Sequence, residues 1–334
     1  MFLAGDIGGT NTRVAFFEGD PDHIKIAAIK IYPSGGHSGP EEIVRLFLDE
    51  FRFPIESACF GIAGPIRDGR VETPNLPWVV ESKRMASVIG VDSVRLINDL
   101  EANAHGIAVL QDSDLVTLAM GSPSTTGNRG LISAGTGLGM AGLLNEGKEY
   151  QPFASEGGHA DFGPRNAIEI ELLEYMLKKF EHVSWERVLS GPGLSNIYQF
   201  LRDTGKADEP VWLAGQIASE GTAAISRAGM EGSAPIAVQA LDLFCTIYGA
   251  AAGNLALMVV ATNGLFIGGG IAPRLLKKLQ EPGFMKAFLA KGRVGSLLAT
   301  VPVRIITNDK TALLGAGRCA AQGAIQKRTQ TRGA

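Results

Sequence analysis

The chain has 334 residues, of which 45% are apolar and 19% charged, with a formal net charge of −3. That is room for two folded domains at roughly 100–200 residues each, and it excludes both a disordered chain and a polyanion binder, which needs a basic field. The three cysteines, Cys59, Cys245 and Cys319, lie far apart in apolar surroundings, which excludes a disulfide framework or a CxxC-type zinc site and points to buried thiols in a reducing cytosol.

The start of the chain has no basic n-region, so no signal peptide is expected. Residues 2–6, 13–17 and 25–32 read as strands, with a turn at Gly19-Asp20-Pro21-Asp22 between the last two. A helix is expected over 40–51, with Ile43, Leu46, Phe47 and Phe51 at helical spacing. A strand follows at 57–63, a turn at Gly64-Pro65, a helix near 81–89 and a strand at 94–98. Three antiparallel strands, then helix, strand, helix, strand, is the order of a ribonuclease-H-like unit. The theme repeats with strands at 130–134 and 140–144, a helix-rich insertion over about 166–201, a long apolar helix over 235–261 and a strand at 264–267. Two such units make a clefted body. The expected domains are residues 1–108 plus 311–334, and 109–310. The last helix, 311–322, should pack back on the first domain, with Lys327, Arg328 and Arg332 in a frayed tail rather than a nucleic-acid arm. No charge occurs between Leu243 and Pro273, yet Asn254, Thr262, Asn263 and Gly268-Gly269-Gly270 divide that stretch into helix, turn and strand, so no membrane span is expected.

Two glycine-rich loops each join the first and second strands of a unit. The first is Gly5-Asp6-Ile7-Gly8-Gly9-Thr10-Asn11-Thr12-Arg13, the second Ser133-Ala134-Gly135-Thr136-Gly137-Leu138-Gly139-Met140. Glycines let backbone approach phosphate and turn N–H groups toward an anion, so together the loops suit one nucleotide gripped from two sides. Asp6 suits a Mg²⁺ site, direct or through water, and Thr10 and Asn11 can hydrogen-bond phosphate oxygens. Arg13 reads equally as a phosphate ligand or a surface ion pair. Asn98-Asp99 end a strand and begin a helix, where a carboxylate faces the ligand crevice of an α/β sheet. Asp99 is either a general base or a helix N-cap. Glu156-Gly157-Gly158-His159 can bracket the vicinal hydroxyls of a sugar. Glu186 adds an acid before a glycine-proline turn. Gly268-Gly269-Gly270, between strand and helix, leaves room for a flat purine or is a close-packed turn.

These segments, in this order, resemble the bacterial ATP-dependent glucokinases outside the ROK group, within the actin, Hsp70 and sugar-kinase superfamily. The match runs from Gly5–Asn11 through Ile97-Asn98-Asp99, Gly135–Gly139, Glu156–His159 and Glu186–Gly193 to Gly268–Ile271. The resemblance implies two actin-like ATPase domains around a deep cleft, and a cytoplasmic homodimer acting on glucose and ATP with Mg²⁺. It implies Asp99 as catalytic base, with Asn98, Glu156, His159 and Glu186 on the glucose hydroxyls. Nucleotide contacts would come from Asp6, Gly8, Gly9, Thr10, Asn11, Gly135, Thr136, Gly137, Gly269 and Gly270. ROK kinases carry a cysteine-rich zinc motif after their EGGH-like segment, whereas no cysteine occurs here between Cys59 and Cys245. The resemblance therefore implies no zinc and a His159 free for sugar. Thr73 to Trp78 look like the family's first-domain sugar loop, with either Thr73 or Asn75 reaching the ligand.

The expected activity is phosphoryl transfer from ATP to the glucose 6-hydroxyl. Alternatives are another hexose, another phosphoryl donor, or a non-catalytic sugar sensor or actin-like switch. A sensor would need an added DNA-binding helix-turn-helix, and a switch would have no use for Asn98-Asp99 together with Glu156 and His159.

Overall fold

The computed structural model describes residues 1–332 except Asn75 and Lys148, and excludes the side chains of residue 327 and residues 329–332. The chain forms two compact units. One contains residues 1–112, 151–154 and 308 onward, the other residues 113–150 and 155–307.

In the first unit, β1 (Phe2–Ile7), β2 (Asn11–Asp20), β3 (His23–Pro33), β4 (Ser57–Ile62) and β7 (Val94–Asn98) form a sheet of order β3-β2-β1-β4-β7. A small hairpin, β5 (Arg70–Glu72) with β6 (Val79–Glu81), stands apart from it. Strands β1, β2 and β3 are antiparallel, as read from the sequence, while β4 and β7 run parallel to β1. The parallel strands are buried on both faces: alternate residues Ala58, Phe60 and Ile62 join one core, and Cys59 the other. Ile7 is in register with Ile62, and Ile62 with Asn98, so the carboxyl ends of β1, β4 and β7 are level at one edge of the sheet.

Helices α1 (Pro40–Glu50), α2 (Ser82–Ile89) and α3 (Asp99–Gly106) follow. Pro40 opens α1, where its missing N–H costs nothing, and Gly90 closes α2 at φ +80°. The buried stripe of α1 is Ile43, Val44 and Phe47, whereas Leu46 is 44% exposed. The expected stripe was thus one position off, because 43, 44 and 47 share a face as readily as 43, 46 and 47. The last helix runs from Thr311 to Arg332, well beyond residue 322, and Arg328 pairs with Glu56; the expected frayed tail is helical. It packs on α3 and the sheet through small residues: a Cβ on Gly315 would lie 1.8 Å from the Ala102 carbonyl oxygen, and one on Gly106 2.2 Å from that of Thr311.

In the second unit, β8 (Leu115–Ala119), β9 (Arg129–Ala134), β10 (Leu138–Asn145), β11 (Tyr150–Ser155), β12 (Gly264–Gly268) and β13 (Val303–Ile306) are ordered β11-β10-β9-β12-β13-β8. Strands β8, β11 and β13 carry no turn signal strong enough to be read from sequence. The helices are α4 (Ala167–Leu177), α5 (Gly191–Asp203), α6 (Val211–Glu220), α7 (Thr222–Glu231), α8 (Pro235–Met258) and four shorter ones, α9 (Ile271–Arg274), α10 (Leu276–Leu279), α11 (Pro282–Leu289) and α12 (Gly295–Leu298). Helix α8 is long and apolar enough to cross a membrane, but 78% of its most apolar window is buried among its neighbours.

Candidate active site

The first glycine loop is a tight link between β1 and β2, closed by the Gly8 N–H on the Asn11 carbonyl at 3.1 Å. Gly9, Thr10 and Asn11 are exposed at its tip. Behind the tip stands Ser34, fully buried. Its N–H donates to the Thr10 carbonyl at 2.9 Å, its hydroxyl donates to the Gly8 carbonyl at 2.7 Å, and it shares a 2.9 Å hydrogen bond with the Thr12 hydroxyl. Sequence reading missed Ser34; the Pro33-Ser34-Gly35-Gly36 turn was its only signal. Backbone so braced keeps its remaining N–H groups aimed outward without reorganising.

Asp6 ends β1 opposite Arg13. The Arg13 guanidinium lies 3.5 Å from the Asp6 carboxylate and also binds the Asp309 carboxylate at 2.8 Å and its carbonyl at 2.7 Å. Of the two readings of Arg13, the ion pair is therefore present, and Asp309 is a partner that sequence reading missed. Burial pushes the Asp6 carboxyl up to about 6, against the opposing pull of Arg13 and with help from the nearby Asp99 charge. A half-satisfied carboxylate of this kind gains from a cation. Among the described residues no three His, Cys, Asp or Glu side chains are grouped to hold a metal. The Asp6 carboxylate is an oxygen donor of the kind that suits a hard ion such as Mg²⁺.

At the level edge of the same sheet, Asn98 is the N-cap of α3: its side-chain oxygen accepts the Leu100 N–H at 2.8 Å and its amide donates to the Gly64 carbonyl at 3.2 Å. Asp99 is the first residue of the helix and also accepts from the Leu100 N–H, at 3.0 Å. The capping role expected as one option for Asp99 is filled by Asn98. A carboxylate in the first turn of a helix interacts favourably with the helix dipole. The Thr73 hydroxyl donates within its own loop, to the Leu76 carbonyl at 2.8 Å and that of Trp78 at 3.2 Å; Asn75 lies outside the described residues.

In the second unit the link between β9 and β10 gathers the remaining candidates. Thr136 is exposed at its tip. The Gly135 carbonyl accepts the Gly191 N–H at 2.8 Å. The Glu186 carboxylate accepts the Leu138 N–H at 2.9 Å and lies 2.5 Å from where a Cβ on Gly137 would be. A Cβ on Gly158 would sit 1.9 Å from the Leu138 carbonyl oxygen, and one on Gly269, at φ +83°, 2.2 Å from that of Ala134. Only glycine satisfies both of those approaches. Glu156 caps the short turn Gly157–His159, and its side chain and that of His159 are exposed. Gly270 precedes α9. Glu186, Glu156 and His159 are thus brought to the same β9–β10 link as Gly135 and Gly137, with Gly269 pressed against its base.

The matching family model is that of the glucokinases, over residues 3–323. The glucokinase of Nostoc punctiforme is 42% identical over 338 aligned positions, covering 96% of this chain and 99% of that one. The solved glucokinase of an Antarctic psychrotroph is 30% identical with a TM-score of 0.85, covering 96% of this chain and 98% of that one. A glucokinase of Balamuthia mandrillaris, solved in complex with glucose, shares the fold at 22% identity, with a TM-score of 0.76 and coverage of 96% and 93%. Two actin-like α/β units, each with a glycine link between its first two strands and matched almost end to end at this identity, place the chain in the glucokinase family.

Proposed function

We propose that this chain transfers the γ-phosphoryl group of ATP to the 6-hydroxyl of D-glucose. The observation that carries the reading is the register of the first sheet, which sets Asp6 and Asn98-Asp99 within a residue or two of one level at the carboxyl ends of β1 and β7, the parallel strands on either side of β4, the place where α/β sheets bind ligands. In this reading Asp99 takes the proton from the 6-hydroxyl as that oxygen attacks phosphorus. Asn98, Glu156, His159 and Glu186 hold glucose hydroxyls. Backbone N–H groups of Gly9 and Gly137 stabilise phosphate charge, joined by the side chains of Thr10, Asn11 and Thr136, while Gly8 and Gly135 close the two loops through their own N–H groups and Gly269 and Gly270 accommodate the base. A bound Mg²⁺ near Asp6 would neutralise phosphate charge. The working form is taken to be a cytoplasmic homodimer, checked by light scattering.

Selectivity tests the reading. An epimer or isomer leaves a sugar-holding group desolvated without its partner, a loss of roughly 1–3 kcal/mol per group. In a coupled assay across hexoses and phosphoryl donors, glucose should exceed galactose and fructose in kcat/KM by at least about tenfold. Equal efficiency for fructose and glucose would rule the assignment out.

A further inference from the structure

Glu186 is assigned to sugar in the proposed reaction, yet its side chain is bonded to the link assigned to phosphate. One carboxylate oxygen, Oε2, accepts the Leu138 N–H at 2.9 Å, whereas the other makes no hydrogen bond among the described residues. The carboxylate fits there because residue 137 is glycine: a Cβ would lie 2.5 Å from the same oxygen. The backbone around Glu186 is fixed on both sides. Before it, the Trp185 N–H donates to the carbonyl of Ala160, the residue after His159, at 2.9 Å, and the buried Trp185 indole meets Phe162 edge-on at a ring separation of 5.3 Å. After it stands Ser190, 1% exposed and the N-cap of α5. The Ser190 hydroxyl donates to the Glu186 carbonyl at 2.8 Å and accepts the Gly193 N–H at 3.0 Å. Gly191 then returns to the same link, its N–H on the Gly135 carbonyl at 2.8 Å, and its own carbonyl accepts the Thr222 hydroxyl of α7 at 3.2 Å. Residues 135–138 and 186–191 therefore close a ring of hydrogen bonds, from Gly135 to Gly191, from Ser190 to Glu186 and from Glu186 back to Leu138.

We propose that Ser190 is a positioning residue for Glu186, and that Glu186 is shared between the two substrates so that sugar and nucleotide tighten each other's binding. This coupling rests on the sugar-kinase assignment and adds to it the side chain that joins the two ligands. A glutamate held at its carbonyl by Ser190 and at one carboxylate oxygen by Leu138 presents its second oxygen as a fixed acceptor for a sugar hydroxyl. A hydroxyl donated to that oxygen holds the carboxylate, the carboxylate holds the Leu138 N–H, and the link keeps the conformation that aims the neighbouring Gly137 N–H at phosphate. A nucleotide that orders the same link places the carboxylate for sugar. Whichever ligand binds first meets the entropic cost of ordering the link and the Glu186 side chain, and the second does not. The two effects are one factor, since a coupling between binding sites is reciprocal. Without the Ser190 hydroxyl the Glu186 carbonyl loses its donor and the ring opens, so the carboxylate is no longer held between the two ligands.

The test measures, by calorimetry on the full-length protein, the dissociation constant of glucose with and without a non-hydrolysable ATP analogue and Mg²⁺, and that of the analogue with and without glucose. In the wild type each ligand should strengthen the other by the same factor, at least about fivefold. Ser190→Gly removes the hydroxyl at a position where glycine still caps a helix at little cost; it should bring the factor close to one and raise KM for glucose more than it lowers kcat. Ser190→Thr, which keeps both donor and cap, should restore both values. Ser195→Ala, which removes a hydroxyl of the same helix that bonds Thr222, should leave the factor unchanged. In nucleotide-free wild-type protein, glucose alone should slow amide exchange in residues 135–139, a readout that decides even if a variant fails to fold. Glucose binding without that protection, a factor near one in the wild type, or an undiminished factor in Ser190→Gly would overturn the coupling and leave the sugar-kinase reading standing. Absence of any glucose binding by the wild type would overturn both.

Discussion

The two glycine links occupy equivalent places, between the first and second strands of their sheets, yet they are stabilised in opposite ways. The link after β1 carries its own charge in Asp6 and is braced from behind by a hydroxyl, Ser34, and a cation, Arg13. The link after β9 carries no ionisable side chain between Ser133 and Met140. It receives one from outside, the Glu186 carboxylate on the Leu138 N–H, and is otherwise shaped by glycines pressed against it at 158 and 269. The first therefore depends on the side chains that brace it, while the second depends on the absence of side chains at the glycines pressed against it.

Replacing Asp99 with Asn should have the largest effect. Asn98 already caps α3, so the helix should survive, while the missing proton acceptor lowers kcat by about 10²–10⁴. Retention of more than about a tenth of wild-type turnover would reduce Asp99 to a structural residue of the first unit.

Next in size, Gly269→Ala should destabilise the second unit severely, because a Cβ would meet the Ala134 carbonyl oxygen at 2.2 Å and φ is +83°; the left-handed backbone alone costs of order 1–3 kcal/mol. Alanine at Gly9, an exposed residue of the first link, should cost far less. Comparable losses in urea unfolding would erase the contrast between the loops.

Asp6→Asn should separate stability from activity. Because the folded-state pKa is raised to about 6 from an ordinary 3.8, the folded protein holds a proton that the unfolded chain releases between those values. Wild-type stability from this group is therefore present at about pH 4 and lost as pH rises through 6. The Asn variant should be more stable at pH 7 by of order 1–3 kcal/mol, an advantage that disappears toward pH 4, while its activity falls. A pH-independent difference in urea midpoint would show that Asp6 is not held against its charge.

The smallest expected effect is Ser34→Ala, which removes the hydroxyl shared by Gly8 and Thr12 and should cost about 1–2 kcal/mol. The brace orients the first link, so KM for ATP should rise while KM for glucose stays near the wild-type value. Equal rises in both would mean that Ser34 supports the whole unit rather than the loop.

Much of the site was legible because its signals are local. Asp6 near the end of a strand that runs into glycines, a cap and acid at Asn98-Asp99, and Glu156-Gly157-Gly158-His159 all depend on backbone conformation within a few residues, and periodicity and turns gave the five main strands of the first unit but only β9, β10 and β12 of the second. What stayed hidden depends on distant partners. Ser34 meets Thr12 across 22 residues, Glu186 meets Leu138 across 48, and Arg13 meets Asp309 across 296. No pattern around Arg13 distinguishes an ion pair from a phosphate ligand, and none around Leu46 says which of two overlapping stripes faces the core.

The sequence by itself determined where this chain turns, where glycine lets backbone segments approach closely, and which carboxylates stand at strand ends, since these follow from conformational freedom at single residues. Only the tertiary structure decided which hydroxyl braces the first loop, that Asn98 rather than Asp99 caps the helix, and that Cys59 and Cys319 share one buried cluster. Those outcomes depend on the register of parallel strands and on the small residues that let the last helix approach α3. Both are set by packing among segments far apart in the chain, for which no local pattern carries the information.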